Sequence, residues 1–297
     1  MYFRYIDIHS HVNFVAFDAD RDETVKRALD AGVAMINVGT QKDTSATAVE
    51  LSQKYDRGVY AIVGLHPVHT AKSFHDEKEL GEGGKEFTSR GELFENSNYL
   101  ELAKLPNVVG IGECGLDYYR MEHEGWDMEQ KKQEVAFRKQ IELAIEVGKP
   151  LMLHIRNPST SSGQAGIGRS AYLDAYHILN LYFNIHTSAP RGNLHFFAGS
   201  IEEAKPFLEL GFTFSFTGVI TFAKDYEEII RYLPLDRILS ETDSPYVTPA
   251  PYRGRRNEPL YVREVVKAIS RIRGEDEEMV RSHIIKNAEK LFGISLS

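Results

Sequence analysis

The sequence contains little cysteine, no long apolar run and no excess of basic residues. Cys114 is the only cysteine among 297 residues, so a disulfide within the chain is impossible and a cytoplasmic location is expected. No stretch approaches the roughly 18 consecutive apolar residues that indicate a membrane-spanning helix, and the N-terminus lacks the basic start and apolar centre of a signal peptide. We therefore expect neither membrane attachment nor secretion.

The charge balance is acidic, with a net charge of −8 and an isoelectric point of about 5.8. Proteins that bind nucleic acid through bulk electrostatics usually present a basic face, so this balance disfavours such a binder. It is compatible with an enzyme that meets phosphate through bound metal ions. One basic run, Arg253-Gly254-Arg255-Arg256, fits either a solvated loop or a contact with substrate.

The chain does contain 42% apolar residues, arranged in alternating strand and helix patterns. Short runs rich in β-branched and aromatic residues predict buried parallel strands, and the amphipathic stretches between them predict helices. Eight strands alternating with helices favour a (β/α)8 TIM barrel; an open doubly wound sheet would usually carry a phosphate-binding glycine fingerprint after its first strand, and none is present. The predicted strands are Phe3–His9, Ala34–Gly39, Val59–Gly64, Val108–Glu113, Pro150–His154, Asn193–Phe197, Phe212–Phe216 and Arg237–Glu241.

We predict one barrel domain over residues 1–297, interrupted by loop insertions near 81–98 and 158–170. Both segments are polar and rich in glycine or serine, and the strand-helix alternation resumes after each of them. The second insertion follows the fifth strand, on the face where barrel active sites form. It is therefore either a mobile lid or a surface loop.

Six side chains of metal-ligand type fall at the predicted C-terminal ends of barrel strands. A single histidine at a strand end is usually a surface residue, but catalytic groups of barrels gather at this rim, so the shared location favours a metal site. Four imidazoles and two carboxylates suit zinc, manganese or similar divalent ions, and a bridging Glu113 would hold two ions about 3.5–4 Å apart. The six residues are His9, His11, Glu113, His154, His195 and Asp243.

Other rim residues are candidates for substrate contact. His66, in Gly-Leu-His-Pro after the third strand, is a candidate phosphate contact or proton donor to a leaving group. Arg156, two residues beyond His154, offers either a guanidinium fork to phosphate or a surface salt bridge. Tyr118 and Tyr119 fit base stacking, although core packing is the default for such aromatics.

Three further residues near the predicted ligands have candidate roles. Glu241, two residues before Asp243, is expected to orient a ligand. Asp7 has the same candidate role, or else is a buried carboxylate satisfied by backbone donors. Cys114 is a candidate nucleophile or, more simply, a small buried residue of a strand.

The chain carries an ordered set of short motifs. They are Asp7-Ile8-His9-Ser10-His11, Gly64-Leu65-His66-Pro67, Gly112-Glu113-Cys114-Gly115-Leu116-Asp117-Tyr118, Pro150-Leu151-Met152-Leu153-His154-Ile155-Arg156, Gly192-Asn193-Leu194-His195-Phe196-Phe197-Ala198-Gly199, Glu241-Thr242-Asp243-Ser244-Pro245-Tyr246 and Arg256-Asn257-Glu258-Pro259. From about residue 5 to residue 292, this set resembles that of the TatD-type deoxyribonucleases of the amidohydrolase superfamily. The insertion after Arg156, and Asn193 where the family usually has an apolar residue, depart from the family pattern and bear on substrate preference.

The resemblance implies a barrel with a binuclear metal centre. One ion would be held by His9, His11, Glu113 and Asp243, and the second by Glu113, His154 and His195, so that Glu113 bridges them. The implied activity is metal-dependent hydrolysis of DNA phosphodiester bonds, of the 3′–5′ exonuclease type, with two divalent ions (zinc, magnesium or manganese) as cofactors. Asp243 is the candidate general base, with Glu113 and His66 as further catalytic candidates.

DNA is the expected substrate, and nothing indicates a membrane or an obligate protein partner. The alternative is a small-molecule amidohydrolase or phosphoesterase that uses the same binuclear site, because fold and ligands do not identify the reaction. A non-catalytic metal-binding protein is a third interpretation. It would be expected to lack one or more of the ligands, whereas all six are present.

Overall fold

The computed structural model describes residues 3–72, 74–75, 87–88, 91–119, 126–158, 170–189 and 191–297. Eight strands form one parallel sheet in which each strand pairs with the next along the chain. Nearly all their residues are buried, as expected for a sheet with helices outside and packed side chains inside. The strands are β1 (Tyr5–Ser10), β2 (Val33–Val38), β3 (Val59–Val63), β4 (Val108–Asp117), β5 (Leu151–Arg156), β6 (Gly192–Leu194), β7 (Thr213–Phe216) and β8 (Ile238–Ser240).

The sheet curves round so that the residues after β8 meet the end of β1. The Asp243 backbone N–H donates to the His9 carbonyl at 2.9 Å, and the His11 N–H donates to the Ser244 carbonyl at 2.8 Å. A parallel bridge also joins Ser10 to Ser244. These bonds close the sheet, and the predicted TIM barrel is confirmed.

The helices alternate with the strands and begin and end where local sequence allows. Ser200 and Glu203 form a capping box at the start of α6, and Gly148, with a φ of 66°, follows the end of α4. Among the described residues, no helix is both long and apolar enough to cross a membrane. The helices are α1 (Arg21–Asp30), α2 (Lys42–Gln53), α3 (Asn96–Ala103), α4 (Trp126–Val147), α5 (Ala171–Phe183), α6 (Ile201–Glu209), α7 (Glu227–Tyr232), α8 (Val262–Arg273) and α9 (Glu277–Phe292).

Two strands differ from their predicted bounds in ways that affect the site. β4 continues four residues past its predicted end at Glu113, so it also carries Asp117. β6 ends at Leu194, so His195 follows the strand instead of lying within it. Phe196, with a left-handed φ of 44°, turns the chain out of β6 at this point.

The two predicted insertions lie only partly within the described residues, which omit 81–86 and 89–90 of the first and 159–169 of the second. Residues 91–95 form a loop that leads into α3, which begins at Asn96. A two-residue antiparallel ladder joins Phe74–His75 to Phe87–Thr88. The role of the insertions and the single-domain organisation stay predictions.

Candidate metal centre

Glu113 lies at the mouth of the barrel, and its two carboxylate oxygens face different histidines. Its Oε2 atom is 3.4 Å from His9 Nε2 and 3.9 Å from His11 Nε2. Its Oε1 atom is 2.9 Å from His154 Nδ1 and 3.1 Å from His195 Nε2. Glu113 therefore stands between two groups of imidazoles, which define two halves of the centre.

The β1/β8 half consists of His9, His11, Asp243 and Glu113 Oε2. The Nε2 atoms of His9 and His11 are 3.2 Å apart, and Asp243 Oδ1 lies 3.3 Å from His11 Nε2 and 3.9 Å from His9 Nε2. Asp243 has a φ of 55°, a left-handed conformation that aspartate tolerates better than most residues. Its backbone bond to His9 holds this turn in place, so closure of the barrel brings the carboxylate to both histidines.

The β5/β6 half consists of His154, His195 and Glu113 Oε1, with His66 beside them. His66 follows β3, and its Nε2 atom is 3.3 Å from the same Oε1 atom. The His66 Nδ1 atom accepts a hydrogen bond from the Val68 backbone N–H at 3.2 Å. Because Nδ1 accepts, the proton of the neutral ring lies on Nε2, and His66 faces the centre as a hydrogen-bond donor.

Both histidines of the β5/β6 half are oriented by buried carboxylates. Asp117 Oδ2 lies 2.7 Å from His154 Nε2, and Glu241 Oε1 lies 3.1 Å from His195 Nδ1. Such pairs fix the orientation of a ligand ring and raise the basicity of its other nitrogen. The sequence analysis placed Glu241 near a ligand but assigned nothing to Asp117. Its position four residues after Glu113, on the same face of a strand, was the available signal.

The histidines of the β1/β8 half have weaker partners on their second ring nitrogens. His11 Nδ1 faces the Val38 carbonyl at 2.9 Å. His9 Nδ1 is buried and has no hydrogen-bond partner among the described residues. The His9 ring instead stacks on His195, with ring centroids 3.8 Å apart. Packing, more than hydrogen bonding, therefore holds His9.

The donor set fits divalent cations. His154 Nδ1 and His195 Nε2 lie within 3.1 Å of Glu113 Oε1, and the Nε2 atoms of His9 and His11 lie within 3.9 Å of Glu113 Oε2, so imidazole nitrogens and carboxylate oxygens converge at one place. Burial and the neighbouring His195 lower the pKa of His9 to about 3, which keeps this ring in the neutral form that binds metals. Burial opposes ionisation of Glu113, but His66 and His195 lower its pKa well below the usual value.

Two buried groups near the ligands have structural contacts. The Asp7 carboxylate accepts hydrogen bonds from the Thr242 backbone N–H at 2.8 Å, from the Thr242 hydroxyl and from the His9 backbone N–H at 3.3 Å. It is thus a buried carboxylate satisfied largely by backbone donors, the second of its two interpretations. Burial raises the pKa of the Cys114 thiol far above its usual value, which disfavours the nucleophile interpretation.

Arg156 and Tyr119 stack on the rim beside the β5/β6 half. The Arg156 Cζ atom lies 3.6 Å from the centre of the Tyr119 ring, and no ion pair joins this guanidinium to a carboxylate of the described residues. Tyr118 is buried, and its hydroxyl donates to Asp174 Oδ2 at 3.0 Å. Tyr118 therefore packs in the core, while the charge of Arg156 is available at the mouth.

The basic run after β8 divides into two kinds of arginine. Arg256 forms an ion pair with Asp20 at 2.7 Å and lies 4.2 Å from the centre of the buried Phe17 ring. Arg253 is exposed and lies 4.3 Å from the centre of the Phe222 ring. Arg256 thus has a structural role, whereas Arg253 borders solvent.

Comparison with known proteins gives one consistent family. The family model described as "TatD related DNase" matches residues 6–293. An uncharacterized metal-dependent hydrolase, YabD, from Bacillus subtilis is 34% identical over 293 residues, which cover 97% of this chain and 99% of that protein. The 3′-5′ ssDNA/RNA exonuclease TatD of Rahnella sp. is 31% identical over 287 residues, 94% of each chain.

A solved structure agrees at the level of the fold. YjjV, a TatD homologue from Escherichia coli, superposes with a TM-score of 0.76 at 24% identity, covering 99% of this chain and 100% of that one. The family model and the sequence relatives span nearly the whole chain, including Glu113 and the other five ligand-type residues. The chain therefore belongs to the TatD-related DNase family of metal-dependent hydrolases.

Proposed function

We propose that the chain is a two-metal nuclease that hydrolyses phosphodiester bonds of single-stranded DNA from the 3′ end. The observation that carries this proposal is the position of Glu113, whose two oxygens face two separate groups of imidazole nitrogens. A carboxylate placed in this way would serve as a ligand to two divalent ions, the kind of site found in hydrolases of phosphate esters. Relatives named as 3′-5′ ssDNA/RNA exonucleases support the choice of substrate.

Each half of the centre would hold one ion. In the β1/β8 half the ligands would be His9, His11, Asp243 and Glu113 Oε2, and in the β5/β6 half they would be His154 Nδ1, His195 Nε2 and Glu113 Oε1. When bound, divalent ions of this kind lower the pKa of water and neutralise charge on a phosphoryl group. Zinc, magnesium and manganese are the candidates for a mixed imidazole and carboxylate set.

Asp243 is the proposed general base. Its side chain is 14% exposed, compared with 4% for Glu113, so it is the carboxylate of the centre that solvent reaches. Its Oδ1 atom is directed at the β1/β8 histidines, which leaves the carboxylate at the edge of the centre to accept a proton from an attacking water. Glu113 orders the histidines around it and does not need to transfer a proton.

His66 and Arg156 are the proposed phosphate contacts. Burial lowers the pKa of His66, so the ring is neutral and its Nε2–H can donate to a phosphoryl oxygen or to the leaving oxygen. Arg156 offers a planar fork of donors, the geometry that matches phosphate oxygens, and its stacking on Tyr119 limits the freedom of the guanidinium.

The test is a coupled measurement of metal content and nuclease activity. We would quantify bound metal in the purified protein and then follow 3′-labelled and 5′-labelled single-stranded DNA with Mg²⁺, Mn²⁺ or Zn²⁺, before and after chelation. We expect release of the 3′-terminal nucleotide first, loss of activity on chelation and recovery on adding metal. Asp243→Asn should be inactive, while Asp236→Asn, at a carboxylate whose side chain is 66% exposed, is the matched control.

Several outcomes would overturn this proposal. Activity that survives both chelation and Asp243→Asn would exclude the metal mechanism. Inertness towards DNA together with hydrolysis of small amides, lactones or phosphotriesters would favour the small-molecule hydrolase. Preference for RNA would change the substrate and leave the centre as described.

A further inference from the structure

We infer that Phe222 and Arg253 form a stacking subsite for an unpaired base of a single-stranded nucleic acid whose scissile end lies at the metal centre. This inference rests on the proposed nuclease function and extends it to the substrate beyond the scissile bond. Phe222 follows β7 and is 48% exposed. The exposed Arg253, in the loop after β8, lies 4.3 Å from its ring centre. An exposed aromatic ring beside a guanidinium is the surface on which unpaired bases stack.

The two loops that carry this pair are held together before any ligand arrives. The Ala250 backbone N–H donates to the Thr221 hydroxyl at 2.8 Å, and that hydroxyl donates to the Gly218 carbonyl at 2.6 Å. The Arg253 Nη1 atom donates to the Thr248 carbonyl at 3.1 Å. Ordering a flexible loop on binding costs free energy, and these hydrogen bonds already hold both loops in place before a ligand binds. They therefore favour ligand binding at this surface.

Gly218 permits the close approach of the two loops. A Cβ atom at this position would lie 2.4 Å from the Val247 carbonyl oxygen and 2.8 Å from the Pro249 nitrogen. Both neighbours are backbone atoms that cannot turn aside. The loop after β7 can therefore lie against the loop after β8 only with glycine here, and this contact sets Phe222 beside Arg253.

The stacking subsite formed by Phe222 and Arg253 is connected to the loop that carries Asp243. Arg253 is bonded to the Thr248 carbonyl, and Thr248 lies five residues after Asp243, at most about 18 Å away along an extended chain. The Tyr246 N–H donates to the Asp243 carbonyl at 2.9 Å, so the path is a folded turn and shorter than this limit. A strand with its end at Asp243 would reach Phe222 within a few nucleotides.

A second stack, that of Arg156 on Tyr119, lies across the barrel mouth. Tyr119 follows β4 and Phe222 follows β7, three strands apart in an eight-stranded barrel, so the stacks flank the centre on different sides. The Arg256–Phe17 stack is a useful contrast, because Phe17 is buried whereas Phe222 is exposed. Only exposed pairs can meet a base, so Phe222 and Arg253 qualify and Phe17 does not.

The test uses substrates of increasing length. We would measure kcat and KM for oligo(dT) of 2, 4, 8 and 16 nucleotides, and for bis(4-nitrophenyl) phosphate, with the metal-loaded wild-type protein and with Phe222→Ala, Phe222→Leu and Arg253→Ala. We expect KM of the wild-type protein to fall with length. In Phe222→Ala the KM for the 16-mer should rise about 10-fold, with kcat on the small diester unchanged.

Three variants separate the loss of stacking from a loss of folding. Phe222→Leu keeps an apolar side chain without an aromatic face and should behave like Phe222→Ala, whereas Phe222→Tyr should restore wild-type length dependence. Tyr232→Ala removes a ring that is 42% exposed on α7 and should change nothing. A normal melting temperature in Phe222→Leu would show that the protein is folded. The lower affinity for DNA would then come from the missing aromatic ring.

Binding of fluorescein-labelled oligo(dT) to the chelated protein distinguishes failure of this inference from failure of the proposed function. If no nucleic acid is cleaved but binding still weakens about 10-fold in Phe222→Leu, the nuclease proposal fails and the subsite stands. If cleavage occurs and both KM and binding keep their wild-type length dependence in Phe222→Ala and Phe222→Leu, the subsite is overturned and the nuclease proposal stands.

Discussion

The β5/β6 half of the metal centre and the β1/β8 half hold their histidines by different means. In the β5/β6 half, His154 and His195 each face a buried carboxylate, 2.7 Å from Asp117 and 3.1 Å from Glu241. In the β1/β8 half, the second nitrogen of His11 faces only a backbone carbonyl and that of His9 faces no acceptor among the described residues.

This difference indicates a division of labour in the proposed centre. A histidine backed by a carboxylate is the more basic and more rigid ligand, so the β5/β6 half is suited to retain its ion. The β1/β8 half contains the more exposed carboxylate, Asp243, on a turn with a left-handed φ. In the β1/β8 half, histidines without a carboxylate partner lie beside the partly exposed carboxylate of Asp243. We therefore expect proton transfer to take place in this half, and the following predictions test the comparison.

Glu113→Gln should have the largest effect, because Glu113 is the one side chain shared by both halves. The amide is neutral and offers one oxygen in place of two, so both ions should be lost or greatly weakened. We expect activity to fall by about 10⁴-fold or more. Metal quantification together with the DNA assay measures this, and a variant that retains both ions would remove the basis for the two halves.

Asp243→Asn should separate the halves. Loss of the proposed general base is expected to lower kcat by about 10²–10⁴-fold. The β5/β6 half should keep its ion, since its ligands are untouched. Equal loss of metal from both halves, measured by titration with a chelator, would argue that the centre is a single cooperative unit.

Asp117→Asn should weaken only the β5/β6 half. The neutral amide supports the His154 Nε2–H less well than the carboxylate does, and such changes typically cost about 10–100-fold in metal affinity. Two-step metal titration is the measurement, with one step shifted and the other at its wild-type position. Asp236→Asn is the control. An unshifted titration in Asp117→Asn would show that the contacts between ligand histidines and buried carboxylates do not distinguish the metal affinities of the two halves.

Arg156→Lys should affect substrate and leave both ions in place. Lysine keeps the charge but lacks the planar fork that matches phosphate oxygens and that stacks on Tyr119. We expect KM for single-stranded DNA to rise by about 10-fold with wild-type metal content. A change in metal content would instead place Arg156 among the groups that support the β5/β6 ligands.

Thr242→Val should have the smallest effect on activity and a measurable effect on stability. The substitution keeps the shape but removes the hydroxyl that donates to the buried Asp7 carboxylate of β1 and accepts from the Ser244 backbone N–H at 3.2 Å. We expect a loss of about 1–2 kcal/mol in the free energy of unfolding, measured by denaturant titration. An unchanged free energy would mean that the two backbone donors are enough to satisfy Asp7.

Much of the site could be predicted from sequence, because each proposed ligand lies in the C-terminal half of a strand with an apolar pattern or shortly after it. The position of His195, one residue beyond its strand, did not alter its predicted place at the rim. Asp117 was missed because the strand was predicted to end at Glu113 and because its partner, His154, is 37 residues away. The stacking of Arg253 on Phe222 was not predicted either, because it depends on contact between two separate loops.

The sequence by itself determined the barrel and the identity of the donor side chains, because strand periodicity and residue type are local properties. Tertiary structure alone decided which ring nitrogen faces the centre, Nδ1 in His154 and Nε2 in His195, since this depends on the carboxylate that occupies the other nitrogen. It also decided that Arg256 is paired with Asp20, 236 residues away, and that Arg253 stacks on Phe222. These outcomes arise when the barrel closes and brings distant side chains into contact.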